Sequence, residues 1–402
     1  MSPSQHGFNK GKSTATNLLE SITSWLLKVD SGLNIDVVYV DIRKAFDSVV
    51  FSKLLFKIEN LGIKGDLLCW IRSYLSHRYQ CTVIAGISSS LREVKSGVPQ
   101  GSVLGPLLFL LFMNDLPEFL ISKHSLMVSP VSLFADDAKL SQVVNCLTDA
   151  LFLQSILLSL HEWCEIWQMS INSDKCHVLH LGRSNPCFTY GFSNFPLPSP
   201  KIVTDLGLIL DDSLSFTTHI LSLVSKARSR CAVYFKNFVS RDPATMRLFF
   251  ITYVRPLLEY CSVIWNPVTK GNIDLIERVQ RYFSNNIPGC RFLPYGERLR
   301  RLSIESLQFR RTIADMVCLF NIVSGSLSVS LYPYYMHLPP SITRGHHLKL
   351  SYPDTNYALT KQNFFSRTVP TWNSLPIHIL NCSTKSEFRR KISAYLCDPW
   401  LT

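Results

Sequence analysis

At 402 residues and 47% hydrophobic content, the chain is long enough for two or three domains and apolar enough to build a core, which excludes a disordered protein. Its twelve cysteines include no CxxC pair and no Cys/His finger spacing, which argues against a disulfide framework or structural zinc and for reduced thiols in an intracellular protein. The net charge of +12 is lopsided: residues 1–212 hold 17 Lys and Arg against 19 Asp and Glu, whereas residues 213–402 hold 24 against 10, so a near-neutral half precedes a strongly basic half suited to polyanions.

The opening "MSPSQHGFNKGKST" has no apolar core and so is not a secretory signal. Within it, "GFNKGKST" places three residues between Gly7 and Gly11 where a P-loop needs four, and a helical stretch rather than a strand-flanked loop follows. "NIDVVYVDI" (34–42) is a β-branched run ending in an acid and predicts a buried strand. Residues 49–63 and 64–78 predict two amphipathic helices, and "YQCTVIAG" with "SLREVKSG" predicts a hairpin. "PQGSVLGPLLFLLFMNDL" reads as an apolar helix opened by Pro99 and Gly101; its greasiest part, Val103 to Met113, is 11 residues, too short to span a bilayer and suited to a buried helix. "VSLFADDAKLSQVV" is a strand–turn–strand pattern with its acids at the bend. Asp149 is placed to cap a helix reaching Gln168, and "KCHVLHLG" and "KIVTDLGLIL" read as two further strands. From Phe216 helical periodicity dominates, interrupted by "NPVTKGN" and by a Ser/Pro/Tyr stretch over 324–341 that reads as a linker. The expected architecture is α+β in front and helical behind, divided into 1–212, 213–323 and 324–402.

The chemistry is expected at Asp41, Asp136 and Asp137, each at the end of a hydrophobic strand. Clustered carboxylates repel, and burial raises their pKa, unless cations neutralise them. Mg²⁺ is the natural partner because it takes oxygen ligands and keeps positions for phosphate and water. Two such ions about 3.5–4 Å apart can clamp both oxygens of a phosphoryl displacement, with Mn²⁺ as a substitute. Because neighbouring strand side chains face opposite ways, either the bend turns both Asp136 and Asp137 toward the ions, or one is a ligand and the other supports it. Gly97, Gly101 and Gly105 remove side chains at intervals of four and permit close approach of a backbone or nucleobase.

In this order, "YVDIRKAFDSV", "SGVPQGSVLGPLLFLLFMNDL" and "SLFADDAKL" resemble the reverse transcriptases of non-LTR (LINE-type, jockey-like) retrotransposons. The likeness continues through "LHEWCEIWQMSINSDKCHVLHLG", "TDLGLILDDSLSFTTHI", "YVRPLLEYCSVIWNP" and "FFSRTVPTWNSLP", so that it covers nearly the whole chain. It implies a right-hand polymerase palm and fingers with an antiparallel catalytic sheet over 1–212, then a mainly helical basic thumb and a C-terminal extension. It implies RNA-directed DNA polymerase activity: addition of dNTPs to a DNA primer 3′-hydroxyl on an RNA template, with Asp41 and Asp136 as the main ligands of both magnesium ions and Asp137 as the third acid. Lys175 matches the lysine that protonates the leaving pyrophosphate. Phe46 matches the sugar gate, and Gln100 and Gly101, with Ile42, match the pocket of the incoming nucleotide. Lys10 and Lys12 fall in the fingers, where cations meet the triphosphate. Asp47 fits a capping role at a helix start, Asn172 shapes the turn before Lys175, and Asp211 and Asp212 read as ordinary turn acids.

Arg72 and Arg78, beside aromatics, suit the template, and the resemblance implies that Leu206 and Gly207 are the tip of the hairpin that grips the primer end. Lys226, Arg228, Arg230 and Lys236 lie on a helix able to follow a duplex backbone, and "GERLRRLSIESLQFRR" supplies a second basic cluster. No membrane and no obligate protein partner is expected, and the location is intracellular, in nucleus or cytoplasm. Against that family, the chain is expected to lack a fingers segment ahead of "QHGF", an endonuclease domain and a cysteine–histidine knuckle. The alternative expectation is therefore a catalytically inactive, nucleic-acid-binding remnant of a truncated element.

Overall fold

The computed structural model describes residues 1–125, 131–192, 195–329, 336–337, 346–352 and 362–400. The chain divides into two compact units, one made of 1–17 and 33–201, the other of 18–32 and 202–402. The division falls before the hairpin of 202–211 rather than after it, and it sets off no third unit at 324. Most of the expected linker 324–341 lies outside the described residues.

The first unit is built on a four-stranded antiparallel sheet. Strand β1 (Ile35–Val40) is followed by α2 (Ala45–Ser48), α3 (Phe51–Asn60), α4 (Gly65–Leu75), α5 (Leu104–Met113) and α6 (Leu116–His124). Then come β2 (Val131–Phe134), β3 (Asp137–Val143), α7 (Leu147–Trp167) and β4 (His177–Leu181); α1 (Thr14–Asp30) precedes them in the chain, and from residue 18 it belongs to the second unit. The sheet order is β2–β3–β1–β4, with Tyr39 opposite Lys139 on one side of β1 and His177 on the other. A central position explains why β1 reads as a near-continuous apolar run rather than an alternation. Between α4 and α5, Tyr79–Gln80 pairs with Arg92–Glu93 and Val83–Ile84 with Ile87–Ser88, one hairpin inside the other.

Helix α5 begins at Leu104, not at Pro99; Pro99 to Val103 form the turn ahead of it, and a Cβ on Gly105 would lie 2.3 Å from the Pro99 carbonyl. Through α6 the apolar stretch extends over Leu104–His124, 21 residues and long enough by length and composition to cross a membrane. Leu108, Phe109, Phe112, Met113, Leu116 and Leu120 are spent instead on the core, against Val38, Leu133 and Leu140 of the sheet and Ile156 and Leu160 of α7. Helix α7 is capped at Cys146; Asp149 stands three residues inside, where its carboxylate accepts from the backbone N–H groups of Asn145 and Cys146.

One lysine is part of this core. Lys57 of α3 is 5% exposed, its ammonium 4.6, 4.5 and 3.7 Å from the ring centroids of Phe112, Trp163 and Trp167. It donates to the Phe112 carbonyl at 2.6 Å and to Asp115 at 2.5 Å. Burial nevertheless lowers it to about 8, against the pull of Asp115. Lys57→Met should therefore change stability by less than about 1 kcal/mol, whereas Lys57→Ala, which leaves a cavity among the rings, should lose roughly 2–4 kcal/mol in urea melts. From pH 8 to 10.5 the unfolded chain holds the proton that the folded chain has shed, so the wild type should gain stability relative to Lys57→Met as pH rises.

In the second unit, residues 202–211, one strand by local pattern and a hairpin by the family resemblance, form the hairpin β5 (Ile202–Asp205) and β6 (Leu208–Asp211). Its tip, Leu206 and Gly207, has φ values of 44° and 86°, the two positive values of a primed turn. The hairpin packs on α8 (Thr217–Asn237): burial lowers His219 to about 4, and its neutral Nδ1 accepts the Ile209 N–H at 3.2 Å. Burial of Asp211 is overcome by hydrogen bonds from Ser213 and Ser215, which hold its carboxyl below the ordinary range. Helices α9 (Pro243–Phe249), α10 (Arg255–Glu259), α11 (Ser262–Trp265), α12 (Lys270–Asn285), α13 (Tyr295–Leu302) and α14 (Leu307–Val323) follow, with α14 packed against α12 and against Phe364–Ser374 and Lys385–Leu396.

Candidate active site

All the chemistry-bearing residues that the structure brings together lie in the first unit, around a cavity of about 370 Å³ at the end of β1 and the β2–β3 bend. Asp41 and Asp136 both line it. Burial pushes the Asp136 carboxyl above the ordinary aspartate range, and Asp41 adds to the push, against the Asp136 backbone N–H and Lys175. Asp137, the first residue of β3, is exposed and does not line the cavity. Among the described residues no three acids, histidines or cysteines converge on a metal position. Of the three expected acids, Asp41 and Asp136 line the cavity, whereas Asp137 opens β3 just beyond the two-residue turn that carries Asp136. Two adjoining hard-oxygen donors, one of them raised by burial and by its neighbour, fit a divalent cation of the magnesium type, which is held by one or two carboxylates and fills its other positions with water and phosphate.

Each acid is held from behind. The segment before β4 runs antiparallel to 41–43: Arg43 N donates to Ser170 O at 2.7 Å, Asn172 N to Asp41 O at 2.8 Å, and Ile42 bridges Ile171. This register brings the Asn172 side-chain amide to Asp41 Oδ2 at 3.0 Å, so Asn172 orients the acid as well as shaping the turn. Lys175 follows on the same turn, exposed, with Nζ 3.8 Å from Asp41 Oδ2. Behind Asp41, burial pushes the Cys176 thiol up to about 11, leaving it a weak acceptor for the Asp41 N–H at 3.4 Å rather than a nucleophile.

Asp136 is placed by a residue that no motif marks. The bend before it needs Ala135 at φ 56°, a left-handed conformation that costs a non-glycine residue about 1–2 kcal/mol. The buried Gln5 side chain clamps both polar groups of Ala135, accepting its N–H at 2.8 Å and donating to its carbonyl at 3.2 Å. Gly7 stands so close that a Cβ would lie 2.5 Å from the Ala135 nitrogen. His6 N and Leu133 N complete a short parallel bridge with β2 at 2.9 Å each. The "QHG" run is thus a splint for the Ala135–Asp136 bend. Its only sequence signal is a glycine two residues after a glutamine, 130 residues from what it holds.

The remaining walls carry recognition. The Phe46 ring lines the cavity and is stacked on Phe109, with centroids 4.2 Å apart and planes 15° apart. Gln100 also lines it, and its amide donates to Asp47 Oδ1 at 2.9 Å. Asp47 therefore does not cap a helix: it sits inside α2, holds Gln100, and through its carbonyl holds Ser96 Oγ at 2.8 Å. Gly97, at φ 91°, passes so close to Asp47 that a Cβ would lie 2.8 Å from its Cα. Gly101, at φ 77°, turns the chain toward α5 and has open space around it. Ile42 is buried and lines the cavity. Arg43 and Lys44, which sequence reasoning passed over, line it too, so that with Lys175 three cations face two carboxylates. Their signal was their place between Asp41 and Phe46.

The other expected contacts lie elsewhere. Lys10 and Lys12 do not line the cavity; Lys10 is exposed, and Lys12 donates to the Pro3 carbonyl. Arg72 is exposed on α4, whereas Arg78 is used internally, donating to Leu75 O at 3.0 Å and Gly97 O at 2.7 Å. In the second unit, the Leu206 carbonyl accepts from the Tyr260 hydroxyl at 2.8 Å, and Gly207 packs on the same ring. Lys226, Arg228 and Lys236 are exposed on α8, while Arg230 donates to the Tyr253 carbonyl.

The family model described as reverse transcriptase (RNA-dependent DNA polymerase) matches residues 1–210. The chain is 29% identical over 303 residues to the probable RNA-directed DNA polymerase from transposon X-element of Drosophila melanogaster, covering 74% of this chain and 33% of that protein. It is 31% identical over 258 residues to the RNA-directed DNA polymerase from mobile element jockey of Drosophila funebris, covering 63% and 28%. It thus spans about a third of the length of the curated relatives it matches. Among solved structures it is similar to telomerase from Candida albicans in complex with a TWJ fragment of telomeric RNA, at 13% identity and a TM-score of 0.42, covering 81% of this chain and 53% of that one.

Proposed function

The chain belongs to the reverse transcriptase (RNA-dependent DNA polymerase) family, and on that premise we propose that it extends a primer 3′-hydroxyl with deoxynucleotides on an RNA template, at the cavity bounded by Asp41 and Asp136. The observation that carries this reading is the meeting of two carboxylates, three cations and a stacked aromatic ring in one cavity. A triphosphate needs the cations, an attacking hydroxyl needs the acids, and a sugar needs the flat wall.

Reverse transcriptases generally use divalent metal ions. Magnesium held by Asp41 and Asp136 would supply a more acidic primer hydroxyl and charge neutralisation at the phosphates. In the reaction the primer oxygen forms a bond to the α-phosphorus as the bond to pyrophosphate breaks. Arg43 and Lys44 attract the β- and γ-phosphates, and Lys175, on the wall beside Asp41, gives a proton to the departing pyrophosphate. Gln100, its amide already fixed by Asp47, meets the incoming nucleotide with one orientation. The Phe46 ring cannot hydrogen-bond a 2′-hydroxyl and, resting on Phe109, cannot retreat from it, which selects deoxyribose.

Primer extension on a poly(rA) template with oligo(dT), dTTP and Mg²⁺ tests the reading. Template-dependent incorporation is expected; incorporation no greater than that of the Asp136→Asn protein, with both folded, would leave a binding remnant instead. Because Gln5 acts on Asp136 only through Ala135, Gln5→Leu should lower kcat about 10–100-fold with KM for dTTP changed much less. A purely structural role would instead lower Tm without that split.

A further inference from the structure

We infer that the loop 286–294 and helix α13 of the second unit form a platform for single-stranded nucleic acid, with the Phe292 ring as the surface on which an unpaired base stacks. The choice of ligand rests on the proposed function; the surface itself rests on geometry.

The loop is anchored, not frayed. Ile287 and Cys290 are buried, and two successive turns are closed by Cys290 N to Ile287 O at 3.0 Å and Leu293 N to Cys290 O at 3.1 Å. These turns hold the Phe292 side chain 93% exposed, so the ring is open to a planar partner. Around it the charge has one sign. The Arg291 guanidinium carbon lies 5.8 Å from the Phe292 ring centroid. Arg301 reaches back from α13 across the same loop, its Nη2 2.7 Å from where a Cβ on Gly289 would stand. Arg300 is exposed next to it.

Residues 289–301 hold four arginines against one glutamate, and the fourth, Arg298, is buried and donates to the Arg281 carbonyl at 2.8 Å. Among the described residues Arg291, Arg300 and Arg301 form no ion pair, although acids elsewhere in the unit do pair with arginine, as Asp315 does with Arg367. A bare ring among unpaired guanidinium groups complements an unstacked base flanked by phosphates. A duplex buries the base faces that the ring would need, and an acidic peptide would leave the ring uncovered. RNA and DNA single strands share the required chemistry.

The test is binding of the full chain to labelled short single strands of RNA and of DNA, and to a blunt duplex, by fluorescence anisotropy over a salt series. Phe292→Ala should weaken single-strand binding roughly 5–100-fold, with the salt slope retained and duplex affinity within about twofold of wild type. Phe292→Trp should restore it, and Arg291→Ala or Arg301→Ala should each lower the salt slope by about one. Loss confined to RNA or to DNA supports the platform and identifies its strand. Unchanged single-strand affinity in Phe292→Ala, equal weakening on the duplex, or loss of poly-glutamate binding instead would overturn it. Extension of an annealed primer by the wild type is scored separately, so a silent polymerase with Phe292-dependent single-strand binding would refute the function and not the platform.

Discussion

Asp136→Asn is expected to cut primer extension by roughly 10³-fold or more while leaving the metal-free protein at least as stable as the wild type. The two halves of this expectation share one cause. Burial, helped by Asp41, raises the Asp136 pKa above its unfolded value. A carboxyl raised in this way contributes stability below its unfolded pKa, and that contribution is lost as pH rises through the folded value. The charged carboxylate is thus the form that the folded chain disfavours, and a neutral amide of the same shape removes the penalty. The same amide cannot supply the negative charge that a cation bound to phosphate requires. Extension rates and thermal melts without metal, on the two proteins side by side, measure both halves. An amide variant that retains activity within tenfold, or that melts well below the wild type, would argue that Asp136 is a structural acid.

The second large effect is one of selectivity. Phe46→Val should reduce discrimination against ribonucleotides by about 10²-fold, mostly through a better kcat/KM for the ribonucleotide. The ring does not stand alone: it is stacked on Phe109, and the Phe46 carbonyl accepts the Val98 N–H at 2.9 Å. A smaller side chain opens space above Phe109 without moving that backbone. Competing dTTP and UTP on one template reads the ratio directly; a ratio unchanged in the valine variant, with dTTP use intact, removes Phe46 from sugar selection.

How much of this could be read from the residues depended on how local the determining physics is. The β1 run, the β2–β3 bend and helices α3 and α4 follow from period and composition, which act over a few residues. The start of α5 did not, because Pro99 and Gly101 belong to a turn closed on Asp47 and on the Ser102 hydroxyl, and that closure depends on α2 lying alongside. Over 201–210 the local pattern reads as one strand because leucine seldom takes the positive φ that Leu206 adopts; the family resemblance supplied the hairpin and its tip, and both are present. At the site, Asp41, Asp136, Phe46 and Gln100 were marked by their motifs. Gln5 and the carboxylate contact of Asn172 were not, since each holds a partner more than a hundred residues away, and only folding brings them together. Asp137 shows the converse: it adjoins Asp136 in sequence, yet as the exposed first residue of β3 it does not line the cavity.

Manganese binding followed by electron paramagnetic resonance addresses the metal question without requiring turnover. The wild type should remove free Mn²⁺ from solution, more tightly with dTTP present, and the Asp41→Asn/Asp136→Asn double variant should lose that binding while remaining folded. Equal uptake of the ion by both proteins would mean that these two carboxylates do not form the cation site on which the proposed chemistry depends.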